Sequence, residues 1–257
     1  EIKKFYETNP GIKEIGSLSQ VSAEIRDYLE KSVREAHVER QYQHAIRQGW
    51  VKVYLEPPND FRLVAGLGTA MVWSKENSSL NRRVLVLEYS DFQCPFCKRV
   101  QLTLEKIRKK YSNEVQFGYR HFPLPFHKEA QGLAQAVECA RDQDKFWELQ
   151  SLFYKNISNS ANDTEILGMA KRAGINNLRD FEFCWRNGKY AERVKNDISD
   201  GVDLGIQGTP TFILGIYDQK TRTVSGEMFS GAVSEDKFAQ VIEKYLSSMR
   251  TEANLSR

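Results

Sequence analysis

The stretch Glu88-Tyr89-Ser90-Asp91-Phe92-Gln93-Cys94-Pro95-Phe96-Cys97 carries the strongest structural signal in the chain. It directly follows the apolar run Val84–Leu87, which is typical of a central strand covered on both faces, and it leads into apolar residues at helical spacing. The two cysteines are therefore predicted where a strand ends and a helix begins. The positive end of a helix dipole stabilises a thiolate at this position and lowers its pKa. Pro95 suits the first helical position, where its missing N–H has no cost.

The Cys-x-x-Cys spacing predicts a redox dithiol, in which Cys94 is the attacking thiol and Cys97, one helical turn later, is the resolving thiol. The alternative is a structural zinc site, which needs four ligands. The chain has one Cys-x-x-Cys pair, and none of its histidines stands at zinc-finger spacing. We therefore expect a redox pair that needs no metal and no cofactor.

The elements around the dithiol indicate an α/β fold with a mixed sheet. Val115–Phe122 predicts a second strand, Thr211–Leu214 a third and Thr223–Ser225 a fourth. Residues from about 123 to 204 have helical periodicity and are interpreted as a helical insertion. Residues 61–83 show no regular pattern, and we expect them to be irregular.

Residues 1–56 are predicted to be a separate N-terminal helical extension. Ser17 and Gln20 have the spacing of a capping box, and a thin apolar stripe after them predicts a helix over 17–48. Val51–Glu56 alternates like a short strand that prolines end, so we place a domain boundary there and assign 57–257 to the dithiol domain. The stripe fits packing on the chain's own domain, on another domain, or on a second copy in a homo-oligomer.

The composition of the 257 residues is that of a globular protein, with 40% hydrophobic residues, 28% charged residues and a net charge of +3. So small a positive excess gives no case for a nucleic-acid partner. The longest uncharged apolar run, Leu63–Trp73, is much shorter than the roughly 20 residues that span a bilayer. Because the first residue is Glu1 and not Met, we expect a processed chain from which a signal peptide has been removed.

Two separated motifs carry a resemblance to a known family. The segment that ends in the dithiol resembles the active-site strand and helix start of DsbA-like thioredoxin-fold oxidoreductases, and Gly208-Thr209-Pro210-Thr211-Phe212 resembles their cis-proline loop. Phe122-Pro123-Leu124, Cys139-Ala140 and Lys145-Phe146-Trp147 are similar to the family's helical insertion. The resemblance covers about residues 82–249. It implies a thioredoxin fold with a helical insertion, preceded in this chain by the long N-terminal helix.

The resemblance also implies how substrate is bound. Pro210 is expected to be cis, with the Thr209 backbone facing the dithiol and hydrogen-bonding an extended substrate, whereas the residues alone equally allow a trans proline that opens a strand. Pro95 and Phe96 occupy the family's variable dipeptide, which faces substrate and tunes the pKa of Cys94.

The resemblance also suggests roles for Glu88, Cys139 and Cys184. Glu88 matches the family's buried acid and is expected to exchange protons with Cys97, the alternative being an edge position that reaches solvent. Cys139 and Cys184 lie on different predicted helices and would be thiols in a reducing compartment or a disulfide in an oxidising one. A second pair in some family members favours the structural disulfide, which would support a periplasmic or otherwise extracytoplasmic location.

The predicted function is thiol-disulfide exchange with cysteine-containing protein substrates, forming disulfides in exported proteins while a redox partner resets the dithiol. The alternatives are a disulfide isomerase or reductase kept reduced by a partner, and a chaperone-like binder of unfolded chains. His121 and His127 flank an apolar loop and are expected to be structural. A basic cluster near the end of the helix after the dithiol is expected to be solvated; it comprises Lys106, Arg108, Lys109 and Lys110.

Overall fold

A computed structural model of the chain describes residues 1–8, 12, 16–48, 50, 63–73, 83–157 and 161–255. The chain divides into two compact units, Glu1–Phe61 and Arg62–Arg257. The strand predicted over 51–56 and the domain boundary predicted after it lie outside the described residues.

The first unit contains the helices α1 (Ile2–Thr8) and α2 (Leu18–Arg47). The N–H of Ser17 donates a hydrogen bond of 2.8 Å to the side-chain oxygen of Gln20, which is the reciprocal half of a capping box. Ile25, on the predicted apolar stripe, is buried. The predicted long N-terminal helix is therefore confirmed, and its start is fixed by the residues that predicted it.

The second unit is built on a six-stranded mixed sheet with the strand order β1-β6-β5-β3-β4-β2. The strands are β1 (Leu63–Gly66), β2 (Met71–Trp73), β3 (Val84–Ser90), β4 (Val115–His121), β5 (Thr211–Asp218) and β6 (Thr223–Ser230). The central strand β3 runs parallel to β4 and antiparallel to β5. This arrangement confirms the predicted mixed sheet of an α/β fold.

Helices cover the sheet and form the insertion. Helix α3 (Pro95–Lys110) follows β3, and helix α9 (Glu235–Leu255) follows β6. Between β4 and β5 the chain forms α4 (Ala130–Arg141), α5 (Phe146–Asn156), α6 (Asp163–Arg172), α7 (Leu178–Arg186) and α8 (Ala191–Asp203). These five helices confirm the insertion predicted over residues 123–204, and the whole unit is a thioredoxin fold with a helical insertion.

The central strand β3 is buried on both faces along its whole length. Val84 and Val86 point into the core formed with α3 and α9, whereas Leu85 and Leu87 point into the core on the opposite face. By the same alternation Glu88 continues the first face, so its carboxyl enters the sheet–helix interface from which the dithiol helix begins.

The segment Leu63–Trp73, here called the strap, forms two strands where the sequence predicted irregular chain. Its strand β1 pairs with β6 at one edge of the sheet, and its strand β2 pairs with β4 at the other. Leu67, between the two strands, is buried against the central strand. The prediction was wrong because strands of four and three residues depend on partners distant in sequence rather than on their own pattern.

Candidate dithiol site

Cys94 and Cys97 lie at the start of helix α3, directly after the loop that leaves β3. Cys94 is the N-cap residue in extended conformation, and Pro95 occupies the first helical position, as predicted from its lack of an N–H. Both cysteines are buried thiols in this structure, with Cys94 4% exposed and Cys97 fully buried. Pro95 and Phe96 between them are half-buried and form the partly open face of the motif.

The environment of Cys94 favours its thiolate. Hydrogen bonding to the side chain of Cys97 is the main cause that lowers the pKa of Cys94 from 9.0 to about 7, with a further contribution from the backbone N–H of Cys97. Burial and the negative charge of Asp91 act in the opposite direction. The Cys94 thiol also donates to the Thr209 carbonyl at 3.2 Å. At neutral pH this cysteine is therefore a competent nucleophile.

The environment of Cys97 favours its thiol. Burial, followed by the interactions with Cys94, raises the pKa of Cys97 well above its usual value. Shifts in these opposite directions are those expected of a pair in which Cys94 is the attacking thiol and Cys97, which keeps its proton, is the resolving thiol. The structure thus places the two predicted thiols together in the order that the roles require.

The loop before β5 lies against the dithiol. The Thr209–Pro210 peptide bond is cis, and both residues are buried. The Thr211 hydroxyl donates to the Gly208 carbonyl at 2.7 Å, and the N–H of Gly231 donates to the Pro210 carbonyl at 2.7 Å. These bonds fix the loop from both sides, so that the Thr209 carbonyl is held at the Cys94 sulfur.

Glu88 is a buried carboxyl, 2% exposed, behind the dithiol. Burial raises the pKa of Glu88, while the positive charge of Arg108 and hydrogen bonds from Ser90 and Gln101 act to lower it. The Gln101 amide donates to one carboxyl oxygen at 2.9 Å. The buried position excludes the alternative of a solvent-exposed edge residue.

Arg108 departs from the prediction that the basic helix end is solvated. Its side chain is half-buried, with the guanidinium carbon 5.5 Å from the centre of the Phe117 ring and 5.2 Å from that of Trp147. The physical reason is helical spacing: Arg108 follows Gln101 and Leu104 on the face of α3 that packs on the sheet. Its charge therefore acts on Glu88 from inside the protein.

Asp91 is a structural residue of the site that sequence reasoning missed. Its buried carboxylate accepts hydrogen bonds from the N–H of Gln93 and the N–H of Leu124, each at 2.7 Å, and lies 2.7 Å from Nδ1 of His127. It joins the loop before Cys94 to the loop after β4. An acidic residue directly after a strand whose sequence predicts full burial was the signal that could have indicated such a role.

His121 and the buried Arg120 contact acidic side chains deeper in the domain. His121 Nε2 lies 3.2 Å from the Glu138 carboxylate. Arg120, 1% exposed, binds Asp197 at 2.7 Å and Asp200 at 2.5 Å. These pairs join β4 to helices α4 and α8, and they agree with the interpretation of His121 as structural.

Cys139 and Cys184 form a disulfide between helices α4 and α7 of the insertion. Both are buried, and the neighbouring Trp185 indole donates to the Gly132 carbonyl at 3.0 Å across the same helix pair. The bond closes a loop with a sequence separation of 45 residues.

A family comparison matches part of the unit that contains the dithiol. A thioredoxin family model matches residues 79–225, more than half of the chain. The solved structure of alpha-DsbA1 from Wolbachia pipientis is 21% identical and has a TM-score of 0.55, covering 78% of this chain and 97% of that one. A periplasmic thioredoxin-like protein from Salmonella enterica serovar Typhimurium is 20% identical with a TM-score of 0.53, covering 69% and 90%.

A curated relative is matched over only part of its length. The Na(+)/H(+) antiporter NhaA 1 of Salinispora arenicola is 34% identical over 133 residues, which are 51% of this chain and 20% of the antiporter. This chain spans about a fifth of the length of curated relatives that it matches. In the parts of the chain that the structure describes, no helix has the length and apolar character needed to cross a bilayer.

The fold and the dithiol define a thioredoxin-fold protein with a Cys-x-x-Cys centre and a helical insertion. By the match to the family model, the chain belongs to the thioredoxin family. Its fold is that of the DsbA-like thiol-disulfide oxidoreductases.

Proposed function

We propose that this protein forms disulfides in exported proteins by thiol-disulfide exchange at Cys94 and Cys97. The observation that carries the exchange chemistry is the pair of buried thiols at the N-terminus of α3, with the Cys94 sulfur 3.2 Å from the Thr209 carbonyl. A nucleophile of pKa about 7 beside a buried thiol of high pKa has the properties that a two-step exchange requires.

The proposed reaction starts from the oxidised enzyme. A substrate thiolate attacks Cys94, so that a Cys94–substrate bond forms, the Cys94–Cys97 bond breaks, and the electron pair leaves on the Cys97 sulfur. A second substrate thiolate then attacks the substrate sulfur of this mixed disulfide, and the electron pair leaves on Cys94. The substrate is oxidised by two electrons, the dithiol is reduced, and a redox partner must reoxidise it.

In this proposal the Thr209 carbonyl and the face formed by Pro95, Phe96 and Pro210 bind the substrate chain. An extended substrate has N–H groups that would donate to Thr209 in place of the Cys94 thiol, and the half-buried ring of Phe96 offers it an apolar contact. Glu88 exchanges a proton with Cys97, because both groups are buried and burial raises the pKa of each, which favours their protonated forms.

The Cys139–Cys184 disulfide supports an extracytoplasmic location, because such bonds persist in oxidising compartments. We propose a periplasmic location on this ground and by similarity to the periplasmic protein of Salmonella.

A second candidate is a reductase or isomerase whose dithiol is kept reduced. The pKa of Cys94, about 7, is close to the value of about 7 typical of thioredoxin and above the value of about 3.5 typical of DsbA. A less acidic attacking thiol gives a less stable reduced form and hence a less oxidising potential.

The reduction potential of the Cys94–Cys97 pair, titrated against glutathione, distinguishes these two candidates. A potential near about −120 mV would support the oxidase, and one near about −270 mV would support the reductase or isomerase.

The companion assay is oxidative refolding of a reduced, disulfide-containing protein. We expect Cys94→Ser to abolish it and Cys139→Ala/Cys184→Ala to retain it. Full activity of Cys94→Ser would refute the proposed function. Suppression of aggregation by a Cys94→Ser/Cys97→Ser variant, without exchange by the wild type, would instead indicate a chaperone-like binder.

A further inference from the structure

The Asp91 carboxylate ties the chain that leads into the dithiol to the loop after β4. Asp91 lies three residues before Cys94, and its side chain is fully buried. Its Oδ1 accepts a hydrogen bond of 2.7 Å from the N–H of Gln93, and its Oδ2 accepts one of 2.7 Å from the N–H of Leu124. Nδ1 of His127 lies 2.7 Å from the same Oδ2. Three groups at hydrogen-bond distance therefore surround one carboxylate.

The direction of the bond between His127 and Asp91 follows from the chemistry of the acid. Both oxygens of Asp91 accept from backbone N–H groups, which is the pattern of an ionised carboxylate. An ionised carboxylate has no hydrogen to give, so His127 must donate through Nδ1. This holds for the neutral and for the charged imidazole, since both can carry a hydrogen at Nδ1.

The turn that contains His127 is held by bonds of its own. The N–H of His127 donates to the Leu124 carbonyl at 3.0 Å, and the His127 carbonyl accepts from the N–H of Ala130, the first residue of α4, at 3.2 Å. The imidazole lies against the ring of Phe126, with the two centroids 4.6 Å apart. One turn thus supplies two of the three donors to the Asp91 carboxylate.

Asp91 is also bound to Cys94 through the backbone. The N–H of Cys94 donates to the Asp91 carbonyl at 3.2 Å, and the side-chain oxygen of Gln93 accepts from the N–H of Glu129 at 2.8 Å. Asp91 and Gln93 are therefore both held by the loop that contains His127. The negative charge of Asp91 disfavours the Cys94 thiolate and acts to raise the pKa of Cys94.

The titratable groups around Asp91 come from three elements. His127 lies in the loop after β4, Tyr119 lies in β4, and Cys94 lies at the start of α3. Burial raises the pKa of Tyr119 well above its usual value, so its hydroxyl is neutral at physiological pH. Of these three groups, only His127 can carry a positive charge.

We propose that His127 is a positioning residue of the exchange reaction: by donating to the Asp91 carboxylate it counters a negative charge near Cys94 and keeps the Cys94 thiolate available. This inference rests on the proposed function, because it concerns the thiol that attacks and is attacked there. Hydrogen bonds to an ionised group are about twice as strong as those between neutral groups. Without this donor, the charge of Asp91 disfavours the Cys94 thiolate more strongly.

The test is the initial rate at which Cys94 of the reduced protein attacks an aromatic disulfide that releases a coloured thiolate, measured as a function of pH. His127→Leu removes the donor, whereas His127→Asn places an amide N–H near the position of Nδ1. A neighbouring charge shifts a pKa by about 1–3 units, so we expect His127→Leu to raise the midpoint of the rate profile by about half a pH unit or more. His127→Asn should recover most of that shift.

Lys128→Gln is the matched control. Lys128 follows His127 in the same loop and is exposed. Its replacement removes a full positive charge from the loop but none of the donors to Asp91. We expect the midpoint of this variant to equal that of wild type.

Two readouts separate control of charge from a displaced loop. A thiolate of higher pKa is intrinsically more reactive, so the rate of His127→Leu at alkaline pH should equal or exceed that of wild type. A displaced loop would instead lower the rate at every pH. The second readout is a double-mutant cycle with Asp91→Asn. Asp91→Asn alone should lower the midpoint, and in this background His127→Leu should no longer raise it.

The inference is overturned if His127→Leu keeps the wild-type midpoint, or if it raises the midpoint equally in the Asp91→Asn background. If Asp91→Asn does not fold, equal midpoints for His127→Leu and His127→Asn overturn it. The assay uses no protein substrate, so it also separates the two proposals. A wild-type protein that oxidises no protein substrate would refute the proposed function, while the midpoints would still decide the role of His127.

Discussion

The hydrogen bond between the two active-site thiols can be tested by replacing Cys97 with alanine and, separately, with serine. This bond is the largest cause of the low pKa of Cys94. Alanine removes the donor, whereas serine keeps a hydroxyl that can donate to the Cys94 thiolate. Since both replacements remove the resolving thiol, the pair forms a matched comparison in which only the hydrogen bond differs.

The magnitude follows from the thiolate fraction and the intrinsic reactivity. At about pH 7 about half of wild-type Cys94 is thiolate, and at a pKa of 9.0 the fraction is about 1%. A more basic thiolate is more reactive, and a Brønsted slope of about 0.4–0.5 over about two pKa units gives about a six- to tenfold gain. If Cys97→Ala restores the ordinary pKa in full, it should react about five- to eightfold more slowly than wild type near neutral pH and about six- to tenfold faster at strongly alkaline pH.

The assay is the initial rate of attack by Cys94 on an aromatic disulfide that releases a coloured thiolate, measured as a function of pH. We expect the rate profile of Cys97→Ala to cross that of wild type, and Cys97→Ser to keep a midpoint near the wild-type value of about 7. If the alanine and serine variants share one midpoint, the hydrogen bond from Cys97 does not determine the reactivity of Cys94, and the reasoning fails.

Three other predictions concern stability. Replacing Cys139 and Cys184 together with alanine should lower the free energy of unfolding by about 4 kcal/mol, because the bond closes a loop of 45 residues; a melting temperature within about 2 °C of wild type would contradict this. Glu88→Gln should stabilise the reduced protein at neutral pH. Because the pKa of Glu88 is raised in the folded state, the folded protein loses stability as the pH rises above the unfolded pKa of 4.5. Urea unfolding of the variant should therefore show a gain in stability at neutral pH and none at acidic pH. Arg120→Met should cost about 3–5 kcal/mol by leaving the buried Asp197 without its ion-pair partner, and the double variant with Asp197→Leu should recover part of it in the same unfolding assay.

The core of the site could be predicted because its chemistry is local. The strand, the dithiol, the helix start and Pro95 follow one another within a single segment, and each residue type has a physical reason to be at its position. The cis-proline loop and the pairing of Cys139 with Cys184 are not local. These two features were predicted from the resemblance to the family.

The remaining features depend on contacts that no local pattern contains. Tyr154 reaches Ser90 across 64 residues of sequence, from a helix whose periodicity predicts burial but not the neighbour that its hydroxyl meets. Arg108 has the composition of a solvated helix end, and only the packing of α3 on β4 turns it inward. The His127–Asp91 contact likewise joins two loops whose approach is set by the parallel pairing of β3 with β4.

The strap has a consequence for the order in which the sheet is completed. Leu63 pairs with Gly226, so that among the described strands of this unit the first to leave the ribosome is partnered by the last, about 160 residues later. The same short segment also forms the opposite edge through β2 and β4. Until β6 has been synthesised, β1 lacks this partner, and its unpaired backbone groups can pair with another chain. The edge of the sheet that contains β1 can form only after β6 has been synthesised.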